Sequence, residues 1–158
     1  YKPETYLVET DSIKEKFEAF VIACGNASQY GNNAYITPFA SMRDGLLTVT
    51  VLSPFNVLEV PLMTTHLFTH TFDESSHVTT LVAPWMRVTR EKPGPVHYDG
   101  EPYMLSEELY IEMVPNGLKV LAAPGWDGTC APAPLYKQLY ELFAGSLLDI
   151  PEIEIKKK

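Results

Sequence analysis

A succession of short β-type runs, each followed within a few residues by a turn signal, constrains this chain most. The clearest is Leu46-Leu47-Thr48-Val49-Thr50-Val51-Leu52, opened by Asp44-Gly45 and closed by Ser53-Pro54. Residues 6–10 are a second run, ended by Asp11-Ser12, with Lys14-Glu15-Lys16 read as a charged hairpin tip. Residues 17–24 begin with alternation and become apolar throughout, the pattern of a strand entering a core between two layers. Residues 34–37 form a short strand stopped by Pro38. Residues 77–83 and 85–90 are strands separated at Pro84. In the latter, Trp85, Arg87 and Thr89 share one face, and Met86 and Val88 the other. Residues 109–114, the turn Pro115-Asn116-Gly117 and residues 118–122 read as a hairpin. Such spacing implies an antiparallel sandwich or barrel.

Two segments read as helices, one among the strands and one after them. One follows Leu52, starting either at Ser53-Pro54 or at Asn56, which has Glu59 three residues on as a capping partner. It would carry Val57, Leu58, Val60, Leu62 and Leu67, with an irregularity at Pro61. The other spans residues 135–143, with Leu135, Leu139, Leu142 and Phe143 on one side, and a charged tail follows from Asp149. Residues 25–33 are a polar loop of types that tolerate left-handed backbone.

Charge narrows the partners. A net charge of −8 argues against a nucleic-acid partner, and against docking on anionic membrane through this piece alone. No apolar stretch is long enough to span a bilayer, and no charged-then-apolar leader opens the chain. The 158 residues suit one domain with a sizeable core, or a large fragment of something longer. The two cysteines form no Cys-x-x-Cys pair. Cys24 reads as a small buried hydrophobe and Cys130 lies in a Pro/Gly-rich loop, so a reducing, cytoplasmic setting is expected.

The usual signatures of phosphate loops, dinucleotide turns and His-Glu-x-x-His metal sites do not occur. His66 and His70 have helical spacing but no carboxylate pattern to complete a ligand set, and read as surface or satisfied residues. Two Asp-Gly corners remain, at Asp44 and at Val96-His97-Tyr98-Asp99-Gly100-Glu101-Pro102. A hairpin needs one Asp-Gly to turn. The second carboxylate and the flanking aromatics are not needed for that, so a turn with spare charge and an acidic catalytic corner both stay open.

Residues 25–33, followed by Ile36-Thr37-Pro38-Phe39-Ala40-Ser41-Met42-Arg43-Asp44-Gly45-Leu46-Leu47, resemble the lipid kinases of the diacylglycerol and sphingosine kinase group, the bacterial members included. About fifty residues on, Asp99-Gly100-Glu101 resembles that family's Asp-Gly-Glu signature, and residues 118–124 its last strand. The resemblance implies the C-terminal domain of the NAD kinase/diacylglycerol kinase-like fold. That is a mainly β, antiparallel two-sheet β-sandwich with one or two helices, here over residues 1–124. Residues 125–158 would be a Pro/Gly-rich loop, a helix and a tail.

The resemblance also implies roles. Glu101 is expected to help activate the lipid hydroxyl, with Asp99 as the second candidate acid. Asp44 is expected to hold a structural Mg²⁺ with the backbone oxygens of Ser41 and Leu46, although it also suits a plain turn residue. ATP would be bound mainly by an N-terminal domain whose nucleotide motif is not in this sequence. Gly125-Trp126-Asp127-Gly128-Thr129 echoes that motif only by chance, since Trp126 replaces a glycine. The expected partner is a lipid with a free hydroxyl, of diacylglycerol or sphingoid type. Peripheral membrane contact in the full protein and a homodimer are also expected, whereas the chain alone would be inactive. The competing reading is a non-catalytic sandwich used as a binding or interaction module.

Overall fold

The computed structural model describes residues 2–129. The expected helix over residues 135–143, the charged tail and Cys130 lie outside the described residues. Strands β1 (Glu4–Glu9), β2 (Lys14–Ala19), β6 (Trp85–Arg90) and β9 (Glu108–Glu112) form an antiparallel sheet in the order β2-β1-β6-β9. Strands β3 (Val21–Gly25), β4 (Leu47–Leu52) and β5 (Val78–Ala83) form a second, in the order β3-β4-β5. Tyr6, Val8, Ala19, Met86 and Val88 of the first sheet pack against Val49 and Val51 of the second, and this shared core makes the fold a β-sandwich. Among the described residues, strands β7 (Gly94–Tyr98) and β8 (Glu101–Leu105) pair only with each other.

The apolar run over residues 17–24 is not one strand. It breaks at Phe20, where the chain leaves one sheet and joins the other, and the Phe20 amide donates to the Leu52 carbonyl at 2.8 Å. Lys14, Glu15 and Lys16 are not the hairpin tip either. They belong to β2, with Lys14 opposite Glu9 and paired to it at 2.9 Å, and the turn is closed by Thr10 donating its amide to Ile13. Thr10 Oγ1 also accepts from the amides of Ser12 and Ile13, so the turn satisfies itself locally.

The outer face of β4 is covered rather than solvated. Leu47, Thr48, Val49, Thr50 and Val51 are all buried, on both faces of the strand. Residues 34–37, expected as a strand, make a single bridge, Ala34 to Gly31, and pair with no strand among the described residues; they instead fill this outer layer. Tyr35 is fully buried, its amide donates to Leu67, and Thr50 Oγ1 donates to the Ile36 carbonyl at 2.7 Å.

The helix resolves in favour of Asn56. Its side chain accepts from the Leu58 amide at 3.0 Å, while Glu59 accepts from the Asn56 amide at 2.8 Å, a complete capping box. A 3₁₀ turn over Val57–Glu59 leads into α1 (Val60–Phe68). Pro61 stands in the first turn of α1, where its missing amide costs nothing, and the expected irregularity is the change from 3₁₀ to α geometry just before it. The face assignment differs from expectation: Met63 is the buried residue, and Val57, Leu58 and Leu62 are exposed. Replacing Asn56 by Ala should destabilise the chain by about 1 kcal/mol. Urea denaturation measures this, and a change indistinguishable from zero would show that the box does not hold the helix start.

The hairpin expected over residues 109–122 does not form. β9 is taken by β6, from Trp85 opposite Glu112 to Thr89 opposite Glu108, and residues 118–122 belong to no strand. The Asn116-Gly117 turn is present, with Asn116 at φ 56°, but Leu118, Val120 and Leu121 beyond it are exposed. Cys24 lies half-buried against the core, and that burial pushes its thiol up to about 11.

Candidate active site

The Asp99-Gly100-Glu101 stretch forms the tip of the β7–β8 hairpin. Tyr98 stands opposite Glu101, leaving Asp99 and Gly100 as a two-residue loop with φ of 47° and 92°. Positive φ at both positions is the type I′ geometry that matches strand twist, and Asp followed by Gly is among the pairs that tolerate it. The turn removes any question of Asp99 and Glu101 sharing a strand face, because Asp99 is in the loop and Glu101 begins β8.

Cross-strand neighbours share a face of the hairpin, which groups Glu101 with Tyr98, Val96 and Tyr103. The Tyr98 and Tyr103 rings lie 5.3 Å apart, and both residues are about half exposed. His97 belongs to the other face. Its Nε2 is 3.0 Å from the hydroxyl of Tyr30, with the two rings edge to face at 5.3 Å. That contact ties the hairpin to the polar loop before β4, across 67 residues of sequence.

The base of the hairpin is held differently. Arg90 ends β6 at 8% exposure, and its guanidinium donates to the carbonyls of Gly94, Leu105, Ser106 and Pro95. Neither Arg90 nor the Tyr30–His97 contact was anticipated from sequence. Arg90 had a signal, since the alternation that buries Met86 and Val88 puts residue 90 on the same buried face. An arginine at a core parity must find acceptors.

The second corner is an Asx turn. Asp44 Oδ1 accepts from the Leu46 amide at 2.9 Å, and Gly45 has φ 75°. Ser41 and its neighbours are engaged by the 125–129 segment. Ser41 Oγ donates to the Asp127 carbonyl at 3.2 Å, the Met42 amide donates to Gly128, and Arg43 donates to the Trp126 carbonyl. Gly128 is required by this approach, because a Cβ there would lie 2.6 Å from Ser41 Oγ. Asp127 is occupied by the side chain and amide of Thr129, whose hydrogen bonds hold its carboxyl below the usual range, with a smaller contribution from Arg43. The Gly-Trp-Asp-Gly-Thr stretch is thus folded onto the Asp44 loop.

The donors expected around Asp44 are a carboxylate and backbone oxygens, which suit a hard cation that keeps most of its water. One carboxylate oxygen is already committed to Leu46, leaving the other for a ligand. Among the described residues, no three His, Cys, Asp or Glu side chains gather as a metal-binding group. His66 and His70 are engaged within the fold. His66 Nδ1 bonds Thr71 Oγ1 at 2.9 Å, and the His70 ring packs on Tyr35 and Phe39. Among the described residues, no helix is long and apolar enough to cross a membrane.

Two facing antiparallel sheets, with an acidic hairpin projecting from one end of β6, define a β-sandwich domain bearing an exposed carboxylate corner. The family model described as the YegS C-terminal NAD kinase beta sandwich-like domain matches residues 1–122, and the chain belongs to that family. A "Probable lipid kinase YegS-like" of Yersinia enterocolitica is 31% identical over 107 residues, covering 68% of this chain and 34% of the relative. Its counterpart in Serratia proteamaculans is 29% identical, covering 68% and 33%. The chain therefore spans about a third of the length of these curated relatives. The crystal structure of a "putative diacylglycerol kinase" from Bacillus anthracis superposes with a TM-score of 0.57 at 19% identity, covering 72% of this chain and 39% of that one. At that identity the likeness speaks for the fold.

Proposed function

We propose that this chain is the lipid-substrate half of an ATP-dependent, diacylglycerol kinase-like lipid kinase, transferring a phosphoryl group to a lipid hydroxyl. The observation that carries the proposal is the type I′ hairpin, which presents Asp99 and Glu101 to solvent at a defined corner, in a chain of this family. The relatives, named as probable lipid kinases, support the same chemistry.

In this reading Glu101 accepts the proton of the lipid hydroxyl as its oxygen attacks the γ-phosphorus, and ADP leaves. Asp99, one turn residue away, is the second acid at the corner. Phosphoryl transfer depends mostly on positioning and charge neutralisation, so a base on a stiff hairpin is a sufficient contribution from this half. Asp44, with the carbonyls of Ser41 and Leu46, would hold a structural Mg²⁺. The ion would neutralise the turn's charge and fix it relative to β4.

The phosphates of ATP require a cradle of amides, and the usual sequence signatures of one do not occur here. The isolated chain is therefore expected to show no ATP turnover, and turnover at a rate typical of kinases would overturn this division of labour. The test of the proposal as a whole is radiolabelled phosphate transfer from ATP to diacylglycerol or sphingosine in mixed micelles by the full-length protein. Transfer to neither would favour a non-catalytic sandwich. The proposal includes peripheral contact with the lipid surface on the cytoplasmic side. It also includes a homodimer, to which the exposed apolar residues Leu118, Val120 and Leu121 could contribute.

A further inference from the structure

We propose that Arg90 is a positioning residue for the Asp99–Glu101 corner, acting through the base of the β7–β8 hairpin. The inference rests on the reading of that corner as the reacting one. Arg90 belongs to the core sheet, where its β6 neighbours Met86 and Val88 are buried, and its side chain crosses from that sheet to the hairpin. Nη2 lies 2.8 Å from the Gly94 carbonyl, 3.0 Å from Leu105 and 3.1 Å from Ser106; Nε lies 3.3 Å from Ser106 and Nη1 3.4 Å from Pro95. Gly94 and Leu105 are opposite each other in the hairpin register, so one planar group grips both arms at their shared base. The Arg90 amide also donates to the Glu107 carbonyl at 2.9 Å, closing the loop that returns from β8.

Three features distinguish this from ordinary arginine packing. Among the described residues every acceptor of the guanidinium is a backbone carbonyl, so what it fixes is the path of the chain. Those carbonyls come from residues at or beside the hairpin ends, Gly94 and Pro95 on one arm and Leu105 and Ser106 on the other. The approach is close, since a Cβ on Gly94 would lie 2.9 Å from Nη1 and the guanidinium would have to shift to admit it.

The hairpin needs such a grip. It pairs with neither sheet, and a lone two-stranded ribbon is marginal in water. From Gly94 to the tip is four residues, about 13 Å of strand, so a tilt of about 5° at the base moves the corner by about 1 Å. A displacement of that size at a reacting group costs about 10²-fold in rate. The Tyr30–His97 contact steadies the same hairpin nearer its tip, but between exposed side chains.

The test pairs Arg90→Lys, which keeps the charge but cannot fork between carbonyls, with Gly94→Ala, which crowds the guanidinium from the hairpin side. Gly94→Ala also keeps the question open should Arg90→Lys fail to fold. In the full-length protein, amide hydrogen exchange over β7 and β8 should quicken about tenfold or more while β4 is unchanged. With ATP and diacylglycerol micelles, kcat should fall about 10²-fold while KM for ATP stays within about twofold. Unchanged exchange in the hairpin overturns the inference. So does faster exchange with kcat intact in the presence of an inactive Glu101→Gln control, a result that leaves the corner's role standing. A fully active Glu101→Gln control overturns the corner reading and the positioning role together.

Discussion

Replacing Glu101 by Gln in the full-length protein is expected to abolish phosphate transfer to lipid while leaving the fold intact. Glutamine matches the shape of the carboxylate but cannot take the hydroxyl proton. Loss of a general base typically removes about 10²–10⁴-fold in rate. Stability should change by no more than about 0.5 kcal/mol, since Glu101 is exposed at the hairpin tip. Radiometric transfer assays and thermal denaturation of the same preparations measure both quantities. Asp99→Asn is the companion variant, because Asn tolerates the φ of 47° as well as Asp does and so removes the charge without disturbing the turn. Activity within tenfold of the parent for Glu101→Gln, with loss for Asp99→Asn, would move the role to Asp99. Full activity in both would end the acidic-corner reading.

Tyr35→Ala is expected to cost about 3–5 kcal/mol, the largest stability effect we anticipate. The ring is fully buried between the outer face of β4 and helix α1, edge to face with His70 at 4.6 Å, and its hydroxyl accepts from Gln29 Nε2 at 3.3 Å. Its amide donates to Leu67 near the end of α1, so one residue fastens loop, helix and sheet. Tyr35→Phe keeps the packing and gives up hydroxyl contacts, and should cost about 1 kcal/mol. Urea denaturation of the two variants separates cavity from hydrogen bond. A loss below about 1 kcal/mol for Tyr35→Ala would show that this outer layer adds little to the sandwich. The same loop carries Tyr30, so loosening it should also weaken the Tyr30–His97 tether of the hairpin.

The elements that sequence predicted well are those whose cause is local. The Asp44-Gly45 and Asp99-Gly100 turns, the strands flanking Pro84, and the alternation of Met86 and Val88 depend on φ preferences and side-chain parity within a few residues. So did the two alternative helix starts, but choosing Asn56 over Ser53 took the observed pair of hydrogen bonds with Glu59. The misjudged elements depend on partners far along the chain. An apolar run over residues 17–24 is compatible with one buried strand or with two strands in facing sheets. The break at Phe20 was chosen by which neighbours were available, β1 before it and β4 after it. Residues 118–122 have strand composition, but β9 was already committed to β6.

The candidate site divides along the same line. The identities of Asp99, Gly100 and Glu101, their turn, and the chemistry two carboxylates can offer were all in the amino-acid sequence, because a two-residue type I′ loop is decided by the residues that occupy it. Where that corner points was not. Its direction comes from Arg90 reaching four carbonyl-bearing residues and from Tyr30 meeting His97, contacts that exist only once the sandwich has brought β6 and the polar loop to the hairpin. Side-chain hydrogen bonds of that range carry no periodicity, so only the tertiary structure could decide them.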